Sequence, residues 1–310
     1  MTTEHKQHAP TQTLPSGVLV INKPKGPTSA GCLAAVKRSL KIKKAGHAGT
    51  LDPMATGVLL LLLGQATKLS PYLMGRKIYS GCLELGRITD TWDAEGETLS
   101  TAPVDNITQL QVKQAVEDWL EITNQEVPAY SAAKHNGEPL YKLSRQGLPT
   151  PQKIKAIQIF KAEMLESNLP YVKFRVECSS GTYIRSLAHS LGMRFGIGAT
   201  LTELTREYSH PFSLSQAITE QEALESPEKA WGKLVSIEDA LFDWNKIILE
   251  PEQEKDVRNG KQIMLEPAAW ANPSSDKALL LNSYKAPLAL AEITRQPNGI
   301  ALKVLRGLWA

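Results

Sequence analysis

At 310 residues the chain is long enough for about two domains and for a core that needs neither disulfides nor metals to hold it. Hydrophobic residues make up 42 % and charged residues 22 %, an ordinary globular balance that excludes a wholly disordered protein. The net charge is only +3, yet residues 1–50 hold eight Lys/Arg against one acidic residue, while residues 207–243 hold two against eight. A front carrying Lys37, Arg38, Lys41, Lys43 and Lys44 suits a polyanion as well as it suits a solvated helix end.

Residues 1–16 read as a polar tail without a secretory signal. Gly17–Asn22 reads as a buried strand closed by turn residues, and Thr28 or Ser29 caps a helix running to Leu40. Residues 41–56 read as a Lys- and Gly-rich loop. Residues 57–63 are too short and too continuously apolar for an amphipathic helix, so a strand buried on both faces is expected there. At six residues, Val58–Leu63 is also the longest apolar run, far short of the ~20 residues that span a bilayer. A helix over 66–73, a strand over 77–85 and a helix over 110–120 follow. Residues 123–152 are too polar for core and read as a long functional insertion. Strands are expected at 156–165 and 171–178, the second alternating buried and wet positions, then a helix over 183–195. The acidic stretch 207–243 reads as connecting helices, and residues from 245 onward as a small all-β module. Cys32, Cys82 and Cys178 are widely spaced with no C-x-x-C pair, which argues against a disulfide framework or a thiolate zinc site and for a reducing cytoplasm.

The chemistry concentrates in Gly46-His47-Ala48-Gly49-Thr50-Leu51-Asp52-Pro53-Met54-Ala55-Thr56-Gly57. An isolated Asp-Pro is a turn former. Here it has glycines on both sides for close backbone approach by a ligand, a histidine five residues back, and a buried strand behind it. This stretch resembles the catalytic motif of the TruB family of tRNA pseudouridine synthases. The likeness extends to Asn22-Lys23-Pro24-Lys25-Gly26-Pro27-Thr28-Ser29, Lys77-Ile78-Tyr79, the run Gly86–Gly96, Val127-Pro128-Ala129-Tyr130-Ser131-Ala132 and Gly181-Thr182-Tyr183-Ile184-Arg185. Ala48 and Ala129 depart from the family's usual residues without removing a reactive group.

The resemblance implies isomerisation of uridine 55 in the T-loop of tRNA to pseudouridine. The base is flipped from its stack, detached, turned and rejoined through C5. It implies Asp52 as the nucleophile, which must be ionised to attack, and Arg185 as its ion-pair partner. Tyr79 stacks on the flipped base and assists proton removal at C5. His47 takes part in base flipping, and Tyr183 and Leu204 line the uracil. Lys23 and Pro24 shape the pocket floor, and Lys134, Lys142 and Arg145 contact the T-arm backbone. The implied fold is α+β: a mixed, mainly antiparallel sheet with flanking helices over 17–244, with an RNA-binding insertion at 123–152. A β-rich PUA-like RNA-binding domain occupies 245–310. The histidines lack paired ligand spacing, and neither a P-loop nor a dinucleotide fingerprint occurs, so no metal and no cofactor are expected. A cytoplasmic monomer acting on the tRNA T-arm, with no membrane partner, is the expectation. Its rivals are a non-catalytic tRNA-binding or folding protein and a synthase acting on another RNA. A glycosidase would need a second carboxylate; Asp90 and Asp93 are available, but nothing in the sequence pairs them with Asp52.

Overall fold

The structure, a computed structural model, describes residues 15–265, 275–297 and 299–309. Nearly all of the N-terminal polar stretch, residues 1–14, lies outside them. The first part of the chain supplies β1 (Gly17–Lys23), α1 (Ser29–Ser39), β2 (Ala45–Ala48), β3 (Thr56–Leu63) and β4 (Lys77–Leu85). After α2 (Gln109–Glu117) come β5 (Ile159–Asn168), β6 (Tyr171–Cys178), α3 (Ile184–Arg194), β7 (Ala199–Ser209) and the two-residue β8 (Ile218–Thr219). These strands form one sheet in the order β5-β6-β4-β7-β3-β1-β8, with β2 paired to β3. The β7–β3 and β1–β8 pairs are parallel, and the remaining pairs among these strands are antiparallel. The sheet is thus mixed and mainly antiparallel.

Both faces of β1 and β3 are covered, which explains their unbroken apolar runs. Leu19, Ile21, Leu59, Leu61 and Leu63 face the larger core with α1, α2 and α3. Val18, Val20, Val58, Leu60 and Leu62 face a second core shared with Trp244, Leu279, Leu281, Leu290 and Leu308. The last four belong to the C-terminal β-rich part. There β9 (Asn245–Ile248), β10 (Ile263–Leu265), β11 (Lys277–Leu281), β12 (Pro287–Gln296) and β13 (Gly299–Gly307) make a second sheet, ordered β9-β11-β12-β13-β10. Lys68 fastens the two parts by donating to the carbonyls of Gly307 at 2.7 Å and Trp309 at 3.0 Å.

Three local expectations change. The 41–56 loop contains β2, whose register places His47 opposite Leu61. The 66–73 helix is a 3-10 helix over Gly64–Tyr72 with Pro71 inside it; proline there removes a donor that a regular α-helix needs. The acidic 207–243 stretch begins inside β7, and its helices are three short pieces, Glu220–Glu225, Pro227–Gly232 and Ile237–Ala240. β7 hides from periodicity because register shifts at Leu201/Glu203 and Arg206/Tyr208 break its alternation.

Candidate active site

Asp52 sits in the turn between β2 and β3, and that turn is held from two sides. Beneath it, Ser29 Oγ donates to the Leu51 carbonyl and accepts from the Leu51 N–H, both at 2.8 Å. The fully buried Lys23 donates to the carbonyls of Pro24 at 2.8 Å, Pro27 at 2.9 Å and Pro53 at 3.3 Å. On the other side Arg206, fully buried on β7, donates to the Gly49 carbonyl at 2.8 Å and the Val58 carbonyl at 2.7 Å. Gly57 makes this approach possible. Its φ is +99°, and a Cβ there would lie 2.3 Å from the Arg206 carbonyl oxygen. That glycine therefore admits a neighbouring strand rather than a ligand.

Arg185, in the first turn of α3, is 4 % exposed. Its Nη2 donates to Asp52 Oδ1 at 3.0 Å, and Nε stands 2.9 Å from Oδ2 in a bent ion-pair contact. Nη1 donates to the Thr91 carbonyl and Nη2 also to the Tyr130 carbonyl, both at 3.0 Å. A second carboxylate, Asp93 Oδ2, lies 3.4 Å from Nη1. Asp93 is pinned in its own turn by Thr91 Oγ1 at 2.7 Å and the Glu95 N–H at 3.1 Å. The structure thus pairs Asp93 with Asp52 after all, through the guanidinium between them. The Asp52 side chain remains 33 % exposed, so one carboxylate of the trio meets solvent.

It meets a cavity of about 470 Å³, lined by Asp52, Tyr79, Tyr183, Arg185, Leu204 and Lys77, among others, a size usual for small-molecule sites. Tyr79 lies opposite Arg206 across the β4–β7 pair. Burial raises its hydroxyl above the ordinary tyrosine range, against the opposing charge of Arg206. Burial also raises Tyr183, whose backbone exchanges two hydrogen bonds with the Gln125 amide at 2.6 and 3.1 Å. Ser131, Ala132 and Ala133 close one wall, so the 123–152 insertion reaches the cavity and is tied to Arg185 at Tyr130.

Of the residues singled out in the sequence, Asp52, Tyr79, Tyr183, Arg185 and Leu204 converge on this cavity. Lys23 and Pro24 do not line it: Lys23 supports the Asp52 turn from beneath, and Pro24 borders a separate hollow with Thr219 and Leu224. His47 is half-buried on β2 and lies off the cavity lining. Burial, then Arg206, lower its imidazole and keep it neutral near pH 7. Lys134 belongs to a small hairpin, Lys134–His135 with Glu138–Pro139, and Lys142 and Arg145 to the helix Leu140–Arg145. Sequence reasoning missed Arg206, and it named Asp93 and Lys77 without giving either a place in the site. Arg206 was within reach, since it follows Leu204 by two positions on the same strand face. Among the described residues no cluster of His, Cys, Asp and Glu could hold a metal ion, and no helix is long and apolar enough to cross a membrane.

A family model described as TruB family pseudouridylate synthase (N terminal domain) matches residues 37–184. The chain is 57 % identical over 298 residues to tRNA pseudouridine synthase B of Oleidesulfovibrio alaskensis, covering 94 % of this chain and 96 % of that protein. The enzyme of that name from Thermotoga maritima is 37 % identical over 293 residues, covering 94 % and 93 %. Among solved structures, a chain of a Cbf5-Nop10-Gar1 complex superposes with a TM-score of 0.70 at 24 % identity, over 94 % of this chain and 85 % of that one. At that identity the likeness concerns the fold. The reach and level of the sequence identity place the chain in the TruB family of pseudouridine synthases, isomerases of tRNA processing that act on RNA.

Proposed function

We propose that the chain converts uridine 55 in the T-loop of tRNA to pseudouridine, with Asp52 as nucleophile. The observation that carries this reading is a carboxylate held by a buried arginine yet one-third open to a nucleotide-sized cavity. The contacts with Arg185 hold the carboxylate in place and aim it at the cavity. Asp52 bonds to C1′ as the C1′–N1 bond breaks, the freed uracil turns between Tyr79, Tyr183 and Leu204, and C5 bonds to C1′ as the Asp52–C1′ bond breaks and frees the carboxylate. The C5 proton then leaves and N1 gains one, so the product is an isomer of the substrate. Tyr79 stacks on the base and, kept protonated by its burial, serves as a relay for the C5 proton rather than as a standing base.

RNA contacts come from three places. The 123–152 insertion offers Lys134, Lys142 and Arg145 to the T-arm backbone, and His47 assists flipping from β2. Residues 245–310 act as a PUA-like RNA-binding domain beside the catalytic domain, 17–244. Lys44 and Arg306 stand near enough to Lys68 to depress its ammonium, after burial, so the basic front continues onto that C-terminal part. The cavity is complete within one chain, which supports a monomer, and tRNA as substrate supports a cytoplasmic enzyme.

The test is tritium release from unmodified tRNA carrying [5-³H]uridine, with Asp52→Asn alongside. One equivalent released by wild type, mapped to the T-loop, with none from a variant that still binds tRNA within a few-fold, is the expected result. Salt-sensitive binding without release would point to a folding protein. Release mapped elsewhere would point to another RNA site, and an active Asp52→Asn would remove Asp52 as nucleophile.

A further inference from the structure

Most buried cations at this site are visibly answered. Lys23 has three carbonyls, Arg206 has those of Gly49 and Val58, and Arg185 has two carboxylates. Lys153 on the cavity wall donates to the Lys134 carbonyl. Lys77 is the exception. It opens β4 two residues before Tyr79, on the same strand face, is 6 % exposed, and lines the cavity. Among the described residues its ammonium has neither a hydrogen-bond acceptor nor a carboxylate partner.

Its surroundings are positive. A Cβ built on Gly49 would stand 2.9 Å from Lys77 Nζ and 3.4 Å from Arg206 Nη1, so both cations crowd one point on the catalytic loop. Lys155 adds a third charge from the same wall, its Nζ 5.9 Å from the centre of the Tyr183 ring. Burial first, then Arg206, push the Lys77 ammonium down to about 8. A buried, unanswered cation with two more beside it is unfavourable in the empty protein. An anion entering the cavity would remove that penalty. A nucleotide placed with C1′ at Asp52 brings such anions with it, because its ribose carries a phosphodiester on either side.

We propose that Lys77, with Arg206 and Lys155 behind it, binds a phosphate adjoining the flipped uridine, so that the nucleotide is held by its backbone while the base turns. This rests on the uridine reading above. Gripping the backbone rather than the base suits the reaction, since the base must rotate freely once detached and the ribose must not.

The test uses full-length protein and labelled T-arm stem–loop RNAs carrying a neutral methylphosphonate 5′ or 3′ of the target uridine, or neither. Equilibrium affinity and pseudouridine content are read from the same samples. With wild type, one of the two replacements should weaken binding about tenfold, the scale of one charge-assisted contact. With Lys77→Met the same replacement should change affinity less than twofold, because the contact is already gone. Lys77→Arg should restore sensitivity. The salt dependence of Lys77→Met binding should be shallower by about 0.7 in log–log slope, one single-strand phosphate. Wild-type affinity indifferent to both replacements, or equal losses in wild type and Lys77→Met, would overturn the proposal; the first outcome needs no variant to fold. Absence of pseudouridine in the unmodified RNA would instead strike the uridine reading, whatever the phosphates show.

Discussion

Asp93→Asn tests whether the guanidinium between two carboxylates is a positioned device or an incidental contact. Asparagine keeps the shape and can keep the Thr91 and Glu95 hydrogen bonds. It removes the charge 3.4 Å from Arg185 Nη1. At that separation and an effective dielectric of about 20, the lost attraction is about 5 kcal/mol. Arg185 retains Asp52 and two carbonyls, so relaxation should recover roughly half, leaving a loss of about 2–3 kcal/mol. Arg185 is then free to tilt toward Asp52, and a misplacement near 1 Å costs about 100-fold in rate. Single-turnover pseudouridine formation on saturating tRNA should therefore fall about 100-fold while half-saturation moves less than threefold. Urea unfolding should show the stability loss in the same preparation. A variant with wild-type rate and the full stability loss would make Asp93 a scaffold residue only. Wild-type values for both would refute the charge argument altogether.

Lys77→Met should stabilise the RNA-free protein. Lys77 has a folded-state value near 8 against an ordinary 10.5, so between those values the unfolded chain binds more protons and stability rises with pH. The penalty is full below pH 8. Removing it should therefore raise stability at pH 7 by on the order of 3 kcal/mol, a gap that closes toward pH 10.5; equal gaps in urea unfolding at pH 7 and pH 10 would refute this. Gly57→Ala should cost about 3 kcal/mol or more, because a Cβ at φ +99° meets the Arg206 carbonyl; a thermal midpoint within a degree of wild type would refute it. Tyr79→Phe should lower the single-turnover rate far more than tRNA affinity, and equal losses would reduce Tyr79 to a cavity wall.

Much of the sheet was legible because its strands are apolar in recognisable ways. β3 declares two covered faces by its leucine run, and β6 declares one by alternating Val172, Phe174, Val176 and Cys178, all fully buried, with polar neighbours. β7 was not legible, since threonine, glutamate and arginine fill a strand whose alternation is interrupted twice. The site was readable only where residues lie close in sequence. That Asp52, Tyr79, Arg185 and Leu204 share one cavity came from the family resemblance, and no local pattern contains it. The Asp93–Arg185 contact spans 92 positions, and Arg206 reaches back 157 to the Gly49 carbonyl; such closures belong to topology, not to periodicity.

The C-terminal sheet does not hang from a linker. Its leucines share a core with the outer face of β1 and β3, and β3 rises directly from the turn that carries Asp52. A chain ending before Asn245 would leave Val18, Val58 and Leu60 short of their cover, with an apolar face inviting self-association. In the intact molecule the same packing makes a caliper of the two sheets. Any RNA gripped near Lys68 and Arg306 is held at a fixed span from the carboxylate, so the distance between grip and target is set by the fold itself.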